Sequence, residues 1–476
     1  MKHLLLTVVA LFALYQLFGW IGSLKTGEQE QRLARMVESP PHAITDPFRN
    51  GYFHLMGFIA SPSLDPAKVG YEIWVETSAS SETFRYDYEK PGRADLHIPL
   101  SLAQATPWWS SDDPFHSFRQ RDTLTTPVVQ RYRTLLDRYE RLIGMPFEDW
   151  GYGRRAIPRV EELLIVHRMF IAEGIARQSS IALDRLYREL LFWRMALRAA
   201  TTPATKVLAQ VVIRDDLDLL ARIMAQPTVD KVFIAAGLQL TTPFTGADYA
   251  LQWPMRHQLA LAVHDHRASM STSLGADENA YHESDRLATL AHLPSNAFQH
   301  LDHPVSHSTF GFFGGRPPWD LYAAYYDALL NTPLHGQSTL PTLRDVAGRS
   351  QHGWLHGLFA QTTFEPDWEP FLLQLKETDA RLRLVSLQIQ LRRPSGIAAV
   401  PTRLAEVGSQ YYDPFTELPM LWSPTQHKIY SVGKDRLDDG GDSSFDIAVS
   451  APIVSSPTVA KLADPSSPTG KRRLHP

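Results

Sequence analysis

Twenty-one consecutive positions, Leu4 to Leu24 (LLLTVVALFALYQLFGWIGSL), contain no Asp, Glu, Lys or Arg. At about 1.5 Å per residue a helix of that length spans roughly 30 Å, the thickness of a bilayer hydrocarbon core. Trp20 stands where an interfacial aromatic belongs. A cleaved signal peptide is the competing reading, but its apolar region runs to only about 7–15 residues before a small-x-small site. Ile21-Gly22-Ser23 is a poor match to such a site. The expectation is therefore an uncleaved anchor over residues 1–24. Lys2 on one side and Lys25, Arg32 and Arg35 on the other do not decide orientation by charge. A short N-terminus and a long C-terminal portion favour a single-pass inner-membrane protein with its C-terminal portion in the periplasm.

Composition narrows the rest of the 476 residues. Hydrophobic residues make up 44% and charged residues 21%, enough apolar material for a real core. Lys+Arg 47 against Asp+Glu 51 leaves a net charge of −4, so no basic excess exists to hold a nucleic acid. The absence of cysteine removes disulfides, zinc-thiolate sites, iron–sulfur clusters and a thiol nucleophile together.

Residues 25–49, broken by Ser39-Pro40-Pro41, read as a juxtamembrane helix and linker. Residues 50–365 read as a mainly helical body with long loops. At its start, NGYFHLMGFIASPSLDPAKVGYEIWVET mixes aromatic and β-branched residues with Gly and Pro, a texture that predicts short strands or an irregular packed loop. Helices are expected over 128–143, from Pro158 to about Ala200, from Pro203 to about Gln226, over 247–273 with a kink at Pro254, and from Pro317-Pro318 through Asn331. Leu186, Leu190, Trp193 and Leu197 step by 4, 3 and 4, which is one apolar stripe. Residues 274–316 read as a long loop.

Residues 366–449 form the next unit. Phe371, Leu375, Thr378, Leu382, Val385 and Ile389 alternate steps of 4 and 3 along a helix from about Asp367 to Arg392, a seam made for packing. Two strands are expected after it, Leu418–Trp422 and Lys428–Val432. Residues 450–476, rich in Ser and Pro, read as a disordered tail.

Two segments have the residue types for metal binding. Asp435, Asp438, Asp439 and Asp442 put four carboxylates within eight residues, with Gly440-Gly441 to turn the chain. Calcium takes six to eight oxygen ligands, so such a loop suits it chemically, although the spacing is not that of an EF-hand. On chemistry alone a solvated acidic turn is the favoured reading. The second segment holds His257, His264, His266, His282, His292, His300, His303 and His307, eight of the 19 histidines. His300, His303 and His307 are the alternative metal ligands, and the rival enzyme reading is a metal-dependent envelope hydrolase. Exposed or capping histidines are the favoured reading there, since HExxH and every other metallohydrolase spacing are absent. Asp215, Asp216 and Asp218 on a helix offer an acidic metal face, but the favoured reading is its solvated side, opposite Leu217 and Leu220. The chain lacks G-x-S-x-G, a Walker loop, and a G-x-G-x-x-G that opens a helix.

Asp413-Pro414-Phe415, a strand, Tyr430-Ser431-Val432-Gly433 and the acidic loop together resemble the C-terminal part of the major pseudopilins of type II secretion. The resemblance covers about residues 370–445. The anchor, the NGYFHLMGF segment and the middle helices resemble an uncharacterised group of membrane-anchored bacterial envelope proteins that carry the same closing block. The fold these resemblances imply is a mainly α-helical extracytoplasmic body with a single N-terminal transmembrane helix and a small α+β pseudopilin-like C-terminal module. They also imply calcium at Asp435, Asp438, Asp439 and Asp442, and envelope protein partners in a secretion or pilus-type assembly. One departure stands out. Pseudopilins carry a glutamate five residues into the apolar helix and a leader-peptidase site, and Leu4–Leu24 has neither.

Overall fold

Segment 50–79, where strands or an irregular loop are expected, folds instead as two helices, α1 (Gly51–Met56) and α2 (Pro66–Ala79). The computed structural model describes residues 31–79, 91–99, 116–117, 122–153, 158–229, 231–271, 319–334, 340–342, 344–346, 368–392 and 400–451. Local capping decides these two helices. The Asn50 side chain accepts from the Tyr52 N–H at 3.1 Å, and the Asp65 side chain accepts from the Ala67 N–H at 3.0 Å beside Pro66. Both are helix-start chemistry. The aromatic residues that resemble a strand pattern form the core of the helix pair, with Phe53 edge-on to Tyr71 and Trp74 at 5.4 and 5.7 Å.

The two helices meet backbone to backbone. A Cβ at Gly70 would overlap the Phe53 carbonyl oxygen, and one at Gly57 would overlap the Pro66 carbonyl oxygen. Glycine is required there by space. Gly70→Ala is therefore expected to cost about 3 kcal/mol by forcing the helices apart. Thermal or denaturant unfolding reads the cost, and a loss well below 1 kcal/mol would mean that the pair separates freely.

The body follows as α3 (Asp122–Arg131), α4 (Arg133–Leu142), α5 (Glu161–Arg177), α6 (Ser179–Ala199) and α7 (Pro203–Ala225). The helix expected over 128–143 is thus split at Tyr132. The long helix expected from Pro158 is split at Gln178, whose extended backbone (φ −167°, ψ 145°) turns the chain. α6 then folds back along α5, with Gly174 against Ala182 and His167 against Glu189. α7 opens at Pro203 as expected. Its cap, Thr202, accepts from the Thr205 N–H, while Asp149 accepts from the Thr201 and Thr202 N–H groups.

Beyond it come α8 (Lys231–Leu240), which the sequence reading missed, α9 (Gly246–Tyr249), α10 (Gln252–Ser271), α11 (Trp319–Asn331), α12 (Glu369–Leu391) and α13 (Val400–Glu406). Pro254 does not kink a helix. It is the third residue of α10, where a first-turn residue has no intrahelical N–H bond to lose. Leu4–Leu24, residues 272–318 and the tail from 452 lie outside the described residues. Among the described residues no helix is long and apolar enough to cross a membrane.

Among the described residues three strands close the fold, β1 (Leu421–Ser423), β2 (Lys428–Ser431) and β3 (Ile447–Ser450), in antiparallel order with Leu421 opposite Tyr430 and Tyr430 opposite Ala448. The first two correspond to the expected pair, and β3 is an addition. The sheet lies on α12, which in turn packs against α7 and α8. Gln388 ties the three layers together, its Nε2 donating to Ala221 O on α7 at 2.9 Å and to Ser450 O on β3 at 2.7 Å. Every residue of the expected α12 seam is buried.

Candidate functional site

Helices α4 to α7 bring one group of polar side chains into the core. His167 on α5, Glu189 on α6 and Asp216 on α7 are each fully buried. Each offers a ligand atom, and these atoms lie within 4.8 Å of one another. Among the described residues this is the one set of three His or acidic side chains that converges so. His167 sits between carboxylates: its Nδ1 is 3.1 Å from Glu189 Oε1 and its Nε2 is 3.1 Å from Asp215 Oδ2. Arg168 Nε donates to the same Asp215 oxygen at 2.7 Å. On the other side the Tyr139 hydroxyl donates to Glu189 Oε1, and Trp193 Nε1 donates to the Tyr139 oxygen at 2.9 Å.

Three oxygens remain without a hydrogen-bond partner, Glu189 Oε2 and both Asp216 oxygens. Asp216 Oδ1 is 4.0 Å from His167 Nδ1. Buried polar groups are almost always paired, so three idle carboxylate oxygens beside one imidazole call for an explanation.

The electrostatics follow from burial and crowding. Burial, and then the charges of Glu189 and Asp215, push the Asp216 carboxyl well above the usual range. Burial works against a charged His167, but the Glu189 charge and the bonds to Asp215 and Glu189 outweigh it and raise its pKa. Burial likewise opposes Asp215 ionisation, and the His167 bond and the Arg168 guanidinium reverse that. Burial and the neighbouring Glu189 charge lift the Tyr139 hydroxyl. Three carboxyl groups share the pocket with one guanidinium and one imidazole, and a proton on Asp216 or a bound cation relieves the crowding of negative charge.

This corrects the reading of Asp215, Asp216 and Asp218 as a solvated face. Asp216 lies one turn from Val212 and one from Leu220, both core residues, and faces inward with them. Only Asp218 is half-exposed, paired with Arg381 at 3.2 Å. His167 and Glu189 were missed altogether. The available signal was their position: His167 interrupts the apolar run of α5, and Glu189 falls between Leu186 and Trp193 on the core stripe of α6.

The residues singled out in the sequence are placed differently. Asp435, Asp438, Asp439 and Asp442 are all exposed, on the loop joining β2 to β3. Gly433, Gly440 and Gly441 there adopt positive φ of 72°, 71° and 87°, the tight turning for which glycine suits. Three of the four carboxylates hold their own backbone, accepting from Leu437, Gly440 and Ser444 N–H groups. The four do not form a converging set of three. Asp413, in the Asp-Pro-Phe turn, is buried and bonds the N–H groups of Phe415 and Val432, a structural staple. His300, His303 and His307 lie outside the described residues. His257 is buried, and its Nδ1 accepts the Gly153 N–H at 3.0 Å.

No family model, curated protein or solved structure matches this chain.

Proposed function

We propose that the protein is a single-pass inner-membrane protein, anchored by Leu4–Leu24, whose periplasmic helical body binds other envelope proteins. The observation that supports binding is on α6. Tyr187, Leu191 and Met195 follow one another at steps of four and are 37%, 52% and 36% exposed. The opposite face of the same helix carries the buried Leu186, Leu190, Trp193 and Leu197. Single exposed apolar residues are ordinary, but three on one helical face make the kind of ridge that enters a partner's groove. Arg188, paired with Asp184 at 3.1 Å, gives the ridge a polar rim. The pseudopilin-like closing block points to partners in a secretion or pilus-type assembly.

A photo-crosslinking residue placed at Leu191 in the full chain, in cells, tests the reading. The expected outcome is a discrete higher-mass adduct that the same residue at exposed Lys68 does not give. Adducts no different from the Lys68 control would remove the interaction reading. Release of the chain from membranes by alkaline extraction would remove the anchor.

A further inference from the structure

The polar group in the core has the makings of a metal centre. We propose that His167 Nδ1, Glu189 Oε2 and Asp216 bind one divalent first-row transition cation, joining α5, α6 and α7, with Asp215 as the positioning residue behind His167.

Three observations carry this. The first is a set of three unpartnered carboxylate oxygens. Both Asp216 oxygens and Glu189 Oε2 are buried without a hydrogen bond, and a cation is the partner that satisfies them together. The second is spacing. Ligands held at about 2.0–2.2 Å around a tetrahedral ion stand about 3–3.5 Å apart. His167 Nδ1 stands 4.0 Å from Asp216 Oδ1 and 3.1 Å from Glu189 Oε1, the oxygen next to the proposed ligand Oε2, and the ligand atoms of the three residues lie within 4.8 Å of one another.

The third is the outer shell. A metal-bound imidazole donates its other N–H to a carboxylate that fixes the ring. His167 Nε2 faces Asp215 Oδ2 at 3.1 Å, and Arg168 fixes Asp215 in turn. Glu189 is oriented likewise, its Oε1 held by Tyr139, which Trp193 holds. This arrangement leaves Oε2 for the ion. One imidazole nitrogen with two carboxylates suits zinc, manganese or iron better than calcium, which takes oxygen alone. All three ligands are buried, so the ion acts as a clamp on the helices and enters as the body folds.

The test uses the full chain, produced in medium supplemented with zinc and purified in detergent without chelator. One equivalent of zinc per chain is expected. Asp216→Asn, nearly isosteric, is expected to lose the zinc. Asp215→Asn is expected to keep the site but weaken zinc affinity about 10–100-fold. Wild-type chain unfolded and refolded in zinc is expected to melt higher than chain refolded in chelator. If the Asp216→Asn chain does not fold, that wild-type comparison decides. The proposal is overturned if wild type carries no zinc and melts identically in both conditions, or if folded Asp216→Asn retains a full equivalent.

Discussion

Raising the pH from 7 to 10.5 is expected to stabilise the wild-type chain relative to Lys206→Met by about 4 kcal/mol. Lys206 lies on α7 with no exposed surface, and its ammonium donates to Leu197 O at 2.9 Å and Ala250 O at 2.8 Å. These carbonyls end α6 and α9 and would otherwise be left without partners. Burial pulls the Lys206 pKa from the ordinary 10.5 down to about 7, only partly offset by the charge of Asp248. The folded pKa is below the unfolded one, so between these values the unfolded chain binds more protons. Stability therefore rises with pH across that window. Below pH 7 the penalty of the buried charge is fully present, and above 10.5 it is gone. Lys206→Met has no such group, and subtracting its profile cancels every other titration. Denaturant titrations of both chains across the window measure the difference, and parallel profiles would show that the ammonium is solvated or its charge neutralised by another route.

How far the sequence foretells this structure depends on which force decides each element. Where a stripe of large apolar residues recurs at helical spacing, burial decides, and the pattern is readable. The seam from Phe371 to Ile389 and the stripe from Leu186 to Leu197 are both buried as their spacing predicts. Segment 50–79 misleads because its apolar residues follow no stripe. Its helices are set by the Asn50 and Asp65 caps and by the absence of side chains at Gly57 and Gly70. The turn at Gln178 carries neither Gly nor Pro, so nothing local marks the break between α5 and α6. β3 follows so closely on an acidic loop that its four residues were absorbed into loop and tail.

The polar core is the least readable part. His167, Glu189 and Asp216 sit 22 and 27 residues apart, on three helices whose relative rotation is fixed only by packing. A metal site with local spacing declares itself in sequence, and one assembled from separate helices does not. The acidic loop attracts attention because its four carboxylates fall within eight residues of the chain. In space three of them turn to their own backbone, while the dispersed trio converges. What could have been noticed is that a histidine and two acids each occupy a core-facing position, where a charged group needs a partner.

The second large expected effect is on α12. Leu382→Ala should cost about 2–5 kcal/mol, the range for a buried leucine truncated in a core. Leu382 is 2% exposed within the continuous core and stands at the centre of the seam. The spread in that range reflects how far the surroundings can collapse into the space left behind. Collapse around α12 is restricted from two directions. On one side α7 and α8 hold it, and α8 comes so close that a Cβ at Gly237 would stand 2.7 Å from Ile389 Cδ1. On the other the sheet is fastened by Gln388 through Ser450 O. Neither layer can shift without breaking hydrogen bonds, so the upper half of the range is expected. Leu418→Ala is the control, because Leu418 is 63% exposed and its truncation should change stability by no more than about 0.5 kcal/mol. Denaturant unfolding of the two variants beside wild type measures both. Equal effects would mean that the seam carries no more of the stability than the surface does.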